Sequence, residues 1–199
     1  MDSAVSRAGR TPRSDARRNR EHLLEIAREV LAEQGAQASL REIARRAQVG
    51  MGTLYRHFPN REALLEALLG QSFERLTALA DTLARTHEPR AALVEWLRTY
   101  LAGSITYRGL VTAMMSTLAD ESSALSAACA DMREAAANLL RRAQDSGEVR
   151  ADVDRIDVIA LISAVGWITE QAPQLAGRGD HLFAVIVDAL APRAGTDPP

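Results

Sequence analysis

The sequence predicts an all-α protein with about nine helices, in which an N-terminal helix-turn-helix domain of three helices precedes a larger helical domain. Ala, Leu, Arg and Glu dominate the composition, aromatic residues make up only 4%, and β-branched runs are scarce. These residue types favour helices over sheets. Apolar residues also recur at the spacing of an amphipathic helix along most of the chain. With 199 residues, the chain can form a small domain joined to a larger one.

The N-terminal segment predicts two helices that meet near residue 38. Residues 17–34 carry apolar side chains on one helical face, and Gly35 ends this helix. Ser39 and Glu42 then form a capping-box pattern, in which Ser39 accepts from the backbone N–H of Glu42 and Glu42 reaches back. A short helix follows to about Ala47.

A third short helix completes the helix-turn-helix. Gln48 to Gly50 form a tight turn, and a helix over about 51–57 ends before Pro59, because the residue preceding a proline disfavours the α region. In this geometry the second of the two short helices can enter a DNA major groove while the first braces it. The apolar residues expected to hold the pair against the first helix are Ile43, Ala44, Ala47, Val49, Leu54 and Phe58.

The rest of the chain predicts six further helices. Asn60 caps a long one, and Pro89 suits the first turn of another. Five of the six predicted helices span residues 61–85, 104–118, 122–145, 153–172 and 180–190. We therefore divide the chain into a flexible basic arm (1–16), a helix-turn-helix domain (17–60), a helical domain (61–191) and a disordered tail (192–199).

Charge is distributed unevenly along the chain. Residues 1–61 contain 12 Arg and 7 acidic residues, whereas residues 62–199 contain 12 Arg and 19 acidic residues. A basic N-terminal third suggests that this end meets a polyanion, although a solvated basic leader gives the same pattern. The six arginines between residues 7 and 20 allow either a minor-groove arm or a disordered leader with transient phosphate contacts.

Several function classes have no support in the sequence. The single cysteine, Cys129, excludes an internal disulfide and a multi-cysteine zinc site, and the four histidines are scattered. There is no P-loop, HExxH or GxSxG motif, so neither an enzyme nor a bound cofactor or metal is expected. No apolar run is long enough to span a bilayer, and the first 15 residues lack the apolar centre of a signal peptide. We therefore expect a cytoplasmic protein without a membrane partner.

The segment over residues 39–69 carries a specific resemblance. It reads SLREIARRAQVGMGTLYRHFPNREALLEALL, with an Ile-Ala pair, a turn valine, Gly-Thr-Leu-Tyr-x-His-Phe, a basic-acidic pair and a leucine run. This string closely resembles the signature of the TetR/AcrR family of bacterial repressors over about residues 17–70. The resemblance implies a homodimeric repressor that binds a palindromic operator in double-stranded DNA and is released when an unknown small-molecule effector binds the C-terminal domain. Two positions depart from the family pattern: Gln48 replaces a frequent Gly, and Gly50 replaces a frequent Ser or Thr.

The expected DNA-contacting residues follow from the outward face of the short helices and from this resemblance. By the resemblance, Tyr55 and His57 bond backbone phosphates, and Arg41 and Arg61 are similar to phosphate-contacting or groove-edge positions. The remaining four are expected at base edges. The set is Arg41, Met51, Gly52, Thr53, Tyr55, Arg56, His57 and Arg61. Alternatives stay open: Tyr55 as a partly buried ring, His57 as a group that bonds helix C-terminal carbonyls, and Arg45 with Arg46 as solvated charges.

The last two predicted helices suggest a dimer. Helix 153–172 is apolar around most of its circumference, so it must be covered on all sides. The resemblance implies that these helices form a four-helix interface between two subunits, whereas an internal helix pair in a monomer is the alternative. The expected interface residues are Ile159, Ile162, Ser163, Gly166, Phe183, Ile186, Val187 and Leu190.

The resemblance also implies an effector pocket in the C-terminal domain. Aromatic, adaptable and amphipathic side chains on facing helices are its candidate lining, with ordinary core packing as the alternative for each. They are Trp96, Tyr100, Tyr107, Met114, Met115, Cys129, Met132, Trp167 and Gln171. Because this set contains no cationic residue, a neutral or aromatic ligand is expected rather than a simple anion. A DNA-binding protein without a ligand, an activator and a protein-binding helical module are the rival functions.

Overall fold

The computed structural model describes residues 12–192, except Ala36 and residues 107–108. Within these residues the chain forms ten α-helices, one 3₁₀ helix and no β-strand, which confirms the all-α prediction. The helices are α1 (Pro12–Gln34), α2 (Leu40–Arg46), α3 (Met51–His57), α4 (Arg61–Thr86), α5 (Pro89–Thr106), α6 (Leu110–Ala113), α7 (Met115–Ala119), α8 (Ala124–Asp145), α9 (Arg155–Gln171) and α10 (Gly179–Ala189), with the 3₁₀ helix Pro173–Arg178 between α9 and α10. None of the helices described is both long enough and apolar enough to cross a bilayer.

Two stretches differ from the sequence prediction. Residues 12–16, expected in the flexible arm, belong to α1, because Pro12 suits the first position of a helix and good helix formers follow it. Residues 104–118, expected as one helix, contain the end of α5 and the short helices α6 and α7. Gly109, at φ +69°, adopts a left-handed conformation that a helix interior does not allow. The rest of the predicted arm (1–11) and tail (193–199) lies outside the described residues.

The N-terminal helices enclose a small core. Leu23, Ile43, Leu54 and Phe58 are almost completely buried where α1, α2 and α3 meet. The guanidinium of Arg20 lies 5.1 Å from the centroid of the Phe58 ring, so a cation covers the aromatic face at the edge of this core. The packing of α1 against α2 and α3 leaves the opposite side of α3 facing solvent.

The turn between α2 and α3 is a Schellman motif. The backbone N–H of Gln48 donates to the Arg45 carbonyl at 3.1 Å, and that of Val49 donates to the Ala44 carbonyl at 3.0 Å. The motif requires a left-handed residue, and Gln48 adopts φ +56°. This conformation gives a physical reason for the glycine that is frequent at this position in the resembling family.

Helix α4 joins the two parts of the chain. It begins at Asn60, whose side-chain oxygen accepts from the backbone N–H of Ala63 at 2.7 Å. Its 26 residues span about 39 Å. Near its first third, Gln71 accepts from the guanidinium of Arg28 on α1 at 2.7 Å. Farther along, α4 packs against α5 and α8, so one helix contributes to both cores.

The C-terminal core lies among α4, α5, α8 and α9. Trp96 of α5 is completely buried, and its indole N–H donates to the Leu76 carbonyl of α4 at 2.8 Å. Helix α9 begins with a capping box between Asp154 and Asp157. It passes close to α5 at Gly166, where a Cβ would lie only 3.1 Å from the Ser104 Cβ. This glycine therefore sets the separation of α5 and α9.

Replacing Gln48 with Gly should stabilise the protein. A non-glycine residue in the left-handed region destabilises the folded state by about 1–2 kcal/mol. Glycine removes this strain but loses more conformational entropy on folding, so we expect a net gain in the free energy of unfolding of about 0.5–1 kcal/mol. Urea unfolding at one fixed protein concentration measures this change. Gln48→Ala keeps the unfavourable conformation and should stay within about 0.5 kcal/mol of the wild type; a Gly variant no more stable than the Ala variant would contradict the prediction.

Candidate nucleic-acid interface and internal cavity

Helix α3 presents an open face to solvent. Leu54 points into the N-terminal core, whereas Tyr55 is 47% exposed, and Gly52 and Arg56 are exposed beside it. Tyr55 is therefore accessible to another molecule, although about half of its surface is covered within the protein, as in the alternative of a partly buried ring. Of the other residues expected at DNA, Arg41 is exposed, while Met51, Thr53, His57 and Arg61 are half-buried.

The half-buried residues have contacts within the protein. Met51 packs partly against the core. The His57 ring lies 6.4 Å from that of Phe58, in a tilted arrangement. The guanidinium of Arg61 donates to the Ala38 carbonyl at 2.7 Å, which ties the start of α4 to the segment before α2. Arg61 therefore has a structural role whether or not it touches DNA.

The capping box expected at Ser39 is absent. Ser39 accepts from the backbone N–H of Arg41 at 3.2 Å, not from that of Glu42. The carboxylate of Glu42 instead accepts from Arg45 and Arg46, with each of three nitrogen–oxygen distances at 2.8 Å. Two guanidinium groups offer charge-assisted bonds that the single N-cap backbone N–H cannot match.

Arg46 fastens α1 to α2. Its guanidinium donates to Glu33 of α1 at 2.6 and 2.9 Å and to Glu42 of α2 at 2.8 Å. Hydrogen bonds from Arg45 and then Arg46 lower the pKa of Glu42 to about 2, and the bond from Arg46 lowers the pKa of Glu33. Arg45 and Arg46, left open as solvated charges, are thus held by carboxylates. The side chains of Arg41 and Arg56 make no ion pair with another described residue.

A cavity of about 210 Å³ lies in the C-terminal core. Three of the expected pocket residues line it: Tyr100, Cys129 and Met132. Ten further residues that sequence reasoning did not select complete the lining. They are Leu69, Ser72, Phe73, Leu76, Gly103, Ser104, Val111, Arg133, Ile159 and Ser163.

The other expected pocket residues lie elsewhere. Trp96 and Met114 are buried in the core outside the cavity wall. Met115, Trp167 and Gln171 are exposed, so they do not line an internal pocket. Tyr107 lies outside the described residues. Aromatic and methionine residues in a sequence do not show which helix faces surround a space, and some of them, such as Met115 and Trp167, lie on the surface.

The cavity wall combines apolar and hydroxyl groups. The Tyr100 hydroxyl bonds that of Ser163 at 2.9 Å, and the Tyr100 ring stacks on Trp96 with centroids 5.5 Å apart. Burial raises the pKa of Tyr100, an effect that the Ser163 hydrogen bond opposes. Burial also raises the pKa of the Cys129 thiol, which disfavours the reactive thiolate.

The cavity lining includes a cation that the expected set of pocket residues did not contain. Arg133 of α8 borders the cavity and carries its positive charge to the rim. The sequence contained a signal for this: Arg133 follows Cys129 by four positions, so both lie on one face of α8.

The expected dimer residues mostly point inward. Ile162, Phe183, Val187, Leu190 and Gly166 are buried within the protomer, Ile186 is half-buried, Ser163 bonds Tyr100, and Ile159 borders the cavity. The outward apolar surface of α9 and α10 consists of other residues, which we call the α9–α10 face: Ile156, Leu161, Trp167, Ile168 and Val185. A helix that is apolar all round does not reveal from its sequence which side meets its own core.

A helix-turn-helix with an open α3, attached to a helical domain with an internal cavity, defines the class of DNA-binding transcriptional regulators. Residues 23–68 match the family described as "Bacterial regulatory proteins, tetR family". Residues 88–192 match the family described as "Transcriptional regulator SbtR-like, C-terminal domain". The chain belongs to the TetR family of transcriptional regulators, whose members are regulators and not enzymes.

Individual proteins agree with this assignment. A TetR transcription regulatory protein from Mycobacterium vanbaalenii is 35% identical, with a TM-score of 0.69 over 91% of this chain and 99% of that one. The TetR regulator SCO0520 from Streptomyces coelicolor is 30% identical, with a TM-score of 0.71 over 88% of this chain and 99% of that one. The transcriptional repressor KstR from Mycolicibacterium smegmatis is 39% identical over 69 residues, which span only 34% of either chain.

The ion pairs of Glu42 with Arg45 and Arg46 predict that the stability of the protein depends on pH. Because the folded-state pKa of Glu42 is about 2, below the ordinary 4.5, its stabilising effect is complete above pH 4.5 and is lost as the pH falls toward 2. The Tm of the wild type should therefore fall more steeply between pH 6 and pH 3 than that of Glu42→Gln, as measured by circular dichroism at constant ionic strength. Glu25→Gln changes an exposed carboxylate of α1 that forms no ion pair with another described residue, and this variant should keep the wild-type slope. Equal slopes for the wild type and Glu42→Gln would contradict the interpretation.

Proposed function

We propose that this protein is a homodimeric repressor that binds a palindromic operator through α3 and leaves it when a small molecule occupies the C-terminal cavity. The observation that carries the proposal is the division of α3 into a buried face at Leu54 and an open face at Tyr55 and Arg56. The assignment as a repressor takes support from KstR, a relative that carries that description.

The open face of α3 has the chemistry that duplex DNA requires. Tyr55 offers a hydroxyl to phosphate oxygens, and Arg41 and Arg56 offer guanidinium groups that no described carboxylate engages. Gly52 lies between them without a side chain, and a Cβ added there would meet nothing within 4 Å. This glycine therefore has no packing reason inside the protein, and a close approach of the helix backbone to DNA supplies one.

The α9–α10 face supports a dimer. Trp167 is 63% exposed, and Ile156, Leu161 and Val185 are exposed with it. Large apolar side chains grouped in this way mark a surface that another molecule covers. A two-fold dimer would place two α3 helices on successive DNA turns, and the operator would then be a palindrome.

The contacts of α4 support release by a ligand. Ser72 and Leu76 of α4 border the cavity, and the neighbouring Gln71 bonds Arg28 of α1. A ligand that prefers one position of α4 would shift the helix-turn-helix relative to its partner copy, so that their spacing no longer fits the operator. The effect is a population shift set by the difference in ligand affinity between the two positions.

Selection of DNA fragments by the purified chain tests the proposal. We expect a palindromic consensus that binds at nanomolar protein and whose affinity falls steeply as salt rises. Small molecules added to this complex should then release the DNA. Fragments without a shared sequence would refute specific recognition, and release by none of a broad set of organic compounds would refute control by a ligand.

Two substitutions should separate phosphate contact from base recognition. Tyr55→Phe removes one hydroxyl and should weaken binding by about three- to tenfold for every sequence alike. Arg56→Ala should instead reduce the preference at one base pair by about 1–3 kcal/mol. Titration of the selected operator and single-base variants measures both. Unchanged base preference in Arg56→Ala would contradict its assignment.

A charged residue on the α9–α10 face should dissociate the dimer. Trp167→Glu places a carboxylate where an interface aromatic is expected and should raise the dimer dissociation constant by about 30-fold or more. Sedimentation velocity over a range of concentrations measures this. Met115→Glu alters an equally exposed apolar residue of α7 and should leave the dimer intact. A wild-type protein that sediments as a monomer at every concentration would disprove the dimer.

A further inference from the structure

Arg133 is an exposed residue of α8 that lies at the rim of the cavity, without a carboxylate partner among the described residues. On α8 the positions three and four residues away are Ala130, Cys129, Ala136 and Ala137, so none of them supplies an acid. The adjacent Glu134 lies nearer to other cations, at 3.7 Å from Arg141 and 3.9 Å from Arg155. The cavity lining itself contains no Asp or Glu among the described residues. The rim therefore carries uncompensated positive charge.

Ser72 is a second polar group that awaits a partner. It is 8% exposed and is the only polar residue in the buried core of the described chain. It borders the cavity, and its hydroxyl makes no hydrogen bond to another described residue. By contrast, the hydroxyls of Tyr100 and Ser163 bond each other, and that of Ser104 donates to the Tyr100 carbonyl. The Ser72 hydroxyl is not a sealed buried group: it is open to the cavity, where water or a ligand can bond it.

The rest of the wall is mostly apolar, apart from the hydroxyls of Tyr100, Ser104 and Ser163, and the space is small. Phe73, Leu76, Met132 and Ile159 are among its apolar lining residues. A cavity of about 210 Å³ holds roughly seven water molecules. A single ring or a short alkyl chain fits such a space.

We propose that the effector of this cavity is a small organic acid, whose carboxylate pairs with Arg133 and whose apolar body lies among Phe73, Leu76 and Ile159, within reach of the Ser72 hydroxyl. The proposal rests on the proposed function in taking the cavity as the effector site. A guanidinium at the rim is well suited to a carboxylate, since it offers two parallel N–H donors. The charge of Arg133 also reaches into the cavity, where it opposes the effect of burial on the pKa of Cys129.

Binding of matched acids and amides to the full-length protein tests the proposal. The probes are benzoate, phenylacetate and hexanoate, each beside its uncharged amide, with thermal shift and calorimetry as readouts. We expect at least one acid to raise the Tm and bind one molecule per chain, and its amide to bind at least tenfold more weakly. If none of the three acids binds, or if an acid and its amide bind with equal affinity, the proposal is overturned.

Substitutions test whether Arg133 supplies the charge that binds the acid and whether the ligand lies in the cavity. Arg133→Gln should weaken acid binding about tenfold or more and leave amide binding unchanged, and Arg133→Lys should restore part of the loss. Arg141→Gln removes the same charge from an exposed position of the same helix that does not line the cavity, and this variant should bind the acid as the wild type does. Gly103→Val fills the cavity from α5, where an added Cβ meets nothing within 4 Å, and should abolish binding of acid and amide alike. Acid binding unaffected by Arg133→Gln would refute the role of Arg133.

A failure of the acid-binding proposal can be distinguished from a failure of the proposed function. Acid binding is measured without DNA, so a protein that selects no operator can still bind the acid through Arg133. Conversely, a protein that leaves its operator when an amide or an amine binds would retain the proposed function and lose the acidic effector.

Discussion

The shared helix α4 is the constraint on which the rest of the structure depends. Its N-terminal part packs with α1, where Gln71 accepts from Arg28, and its middle part packs with α5, where the Leu76 carbonyl accepts from Trp96. Five positions separate these two anchor points. Because interiors are close-packed and yield little to strain, α4 cannot shift in one core without a response in the other. The geometry of the helix-turn-helix is thus linked to that of the helical bundle.

Polar contacts give the small N-terminal unit a rigidity that its core alone does not supply. Arg46 joins Glu33 and Glu42 from two helices, and Arg61 holds the Ala38 carbonyl near the start of α2. None of these contacts involves Tyr55 or Arg56 of the open face. Exposed ion pairs individually add little stability, but a network of this kind restricts the angle between α1 and α2. A fixed angle presents α3 to a groove in one orientation.

The C-terminal helical bundle contains a cavity at a place where side chains fill the core of an ordinary helical bundle. Small residues at Ser72, Gly103 and Ser163 line the cavity between helices whose other contacts are close. An empty apolar space lowers stability, since the atoms around it lose contacts. Such a cost is commonly retained where a ligand occupies the space, and the unpaired hydroxyl of Ser72 with the charge of Arg133 agrees with that reading.

The sequence by itself determined the all-α class, the position of the helix-turn-helix and the family, because helix periodicity, turn residues and the string from Ile43 to Phe58 are local properties. It also indicated the open side of α3, since a short amphipathic helix has one apolar face. It misplaced the Glu42 contacts, the cavity wall and the outward residues of α9 and α10. Those features depend on which side of each helix meets which neighbour. For a helix that is apolar all round, such as α9, only the tertiary packing decides that Ile162 is covered and Trp167 is not.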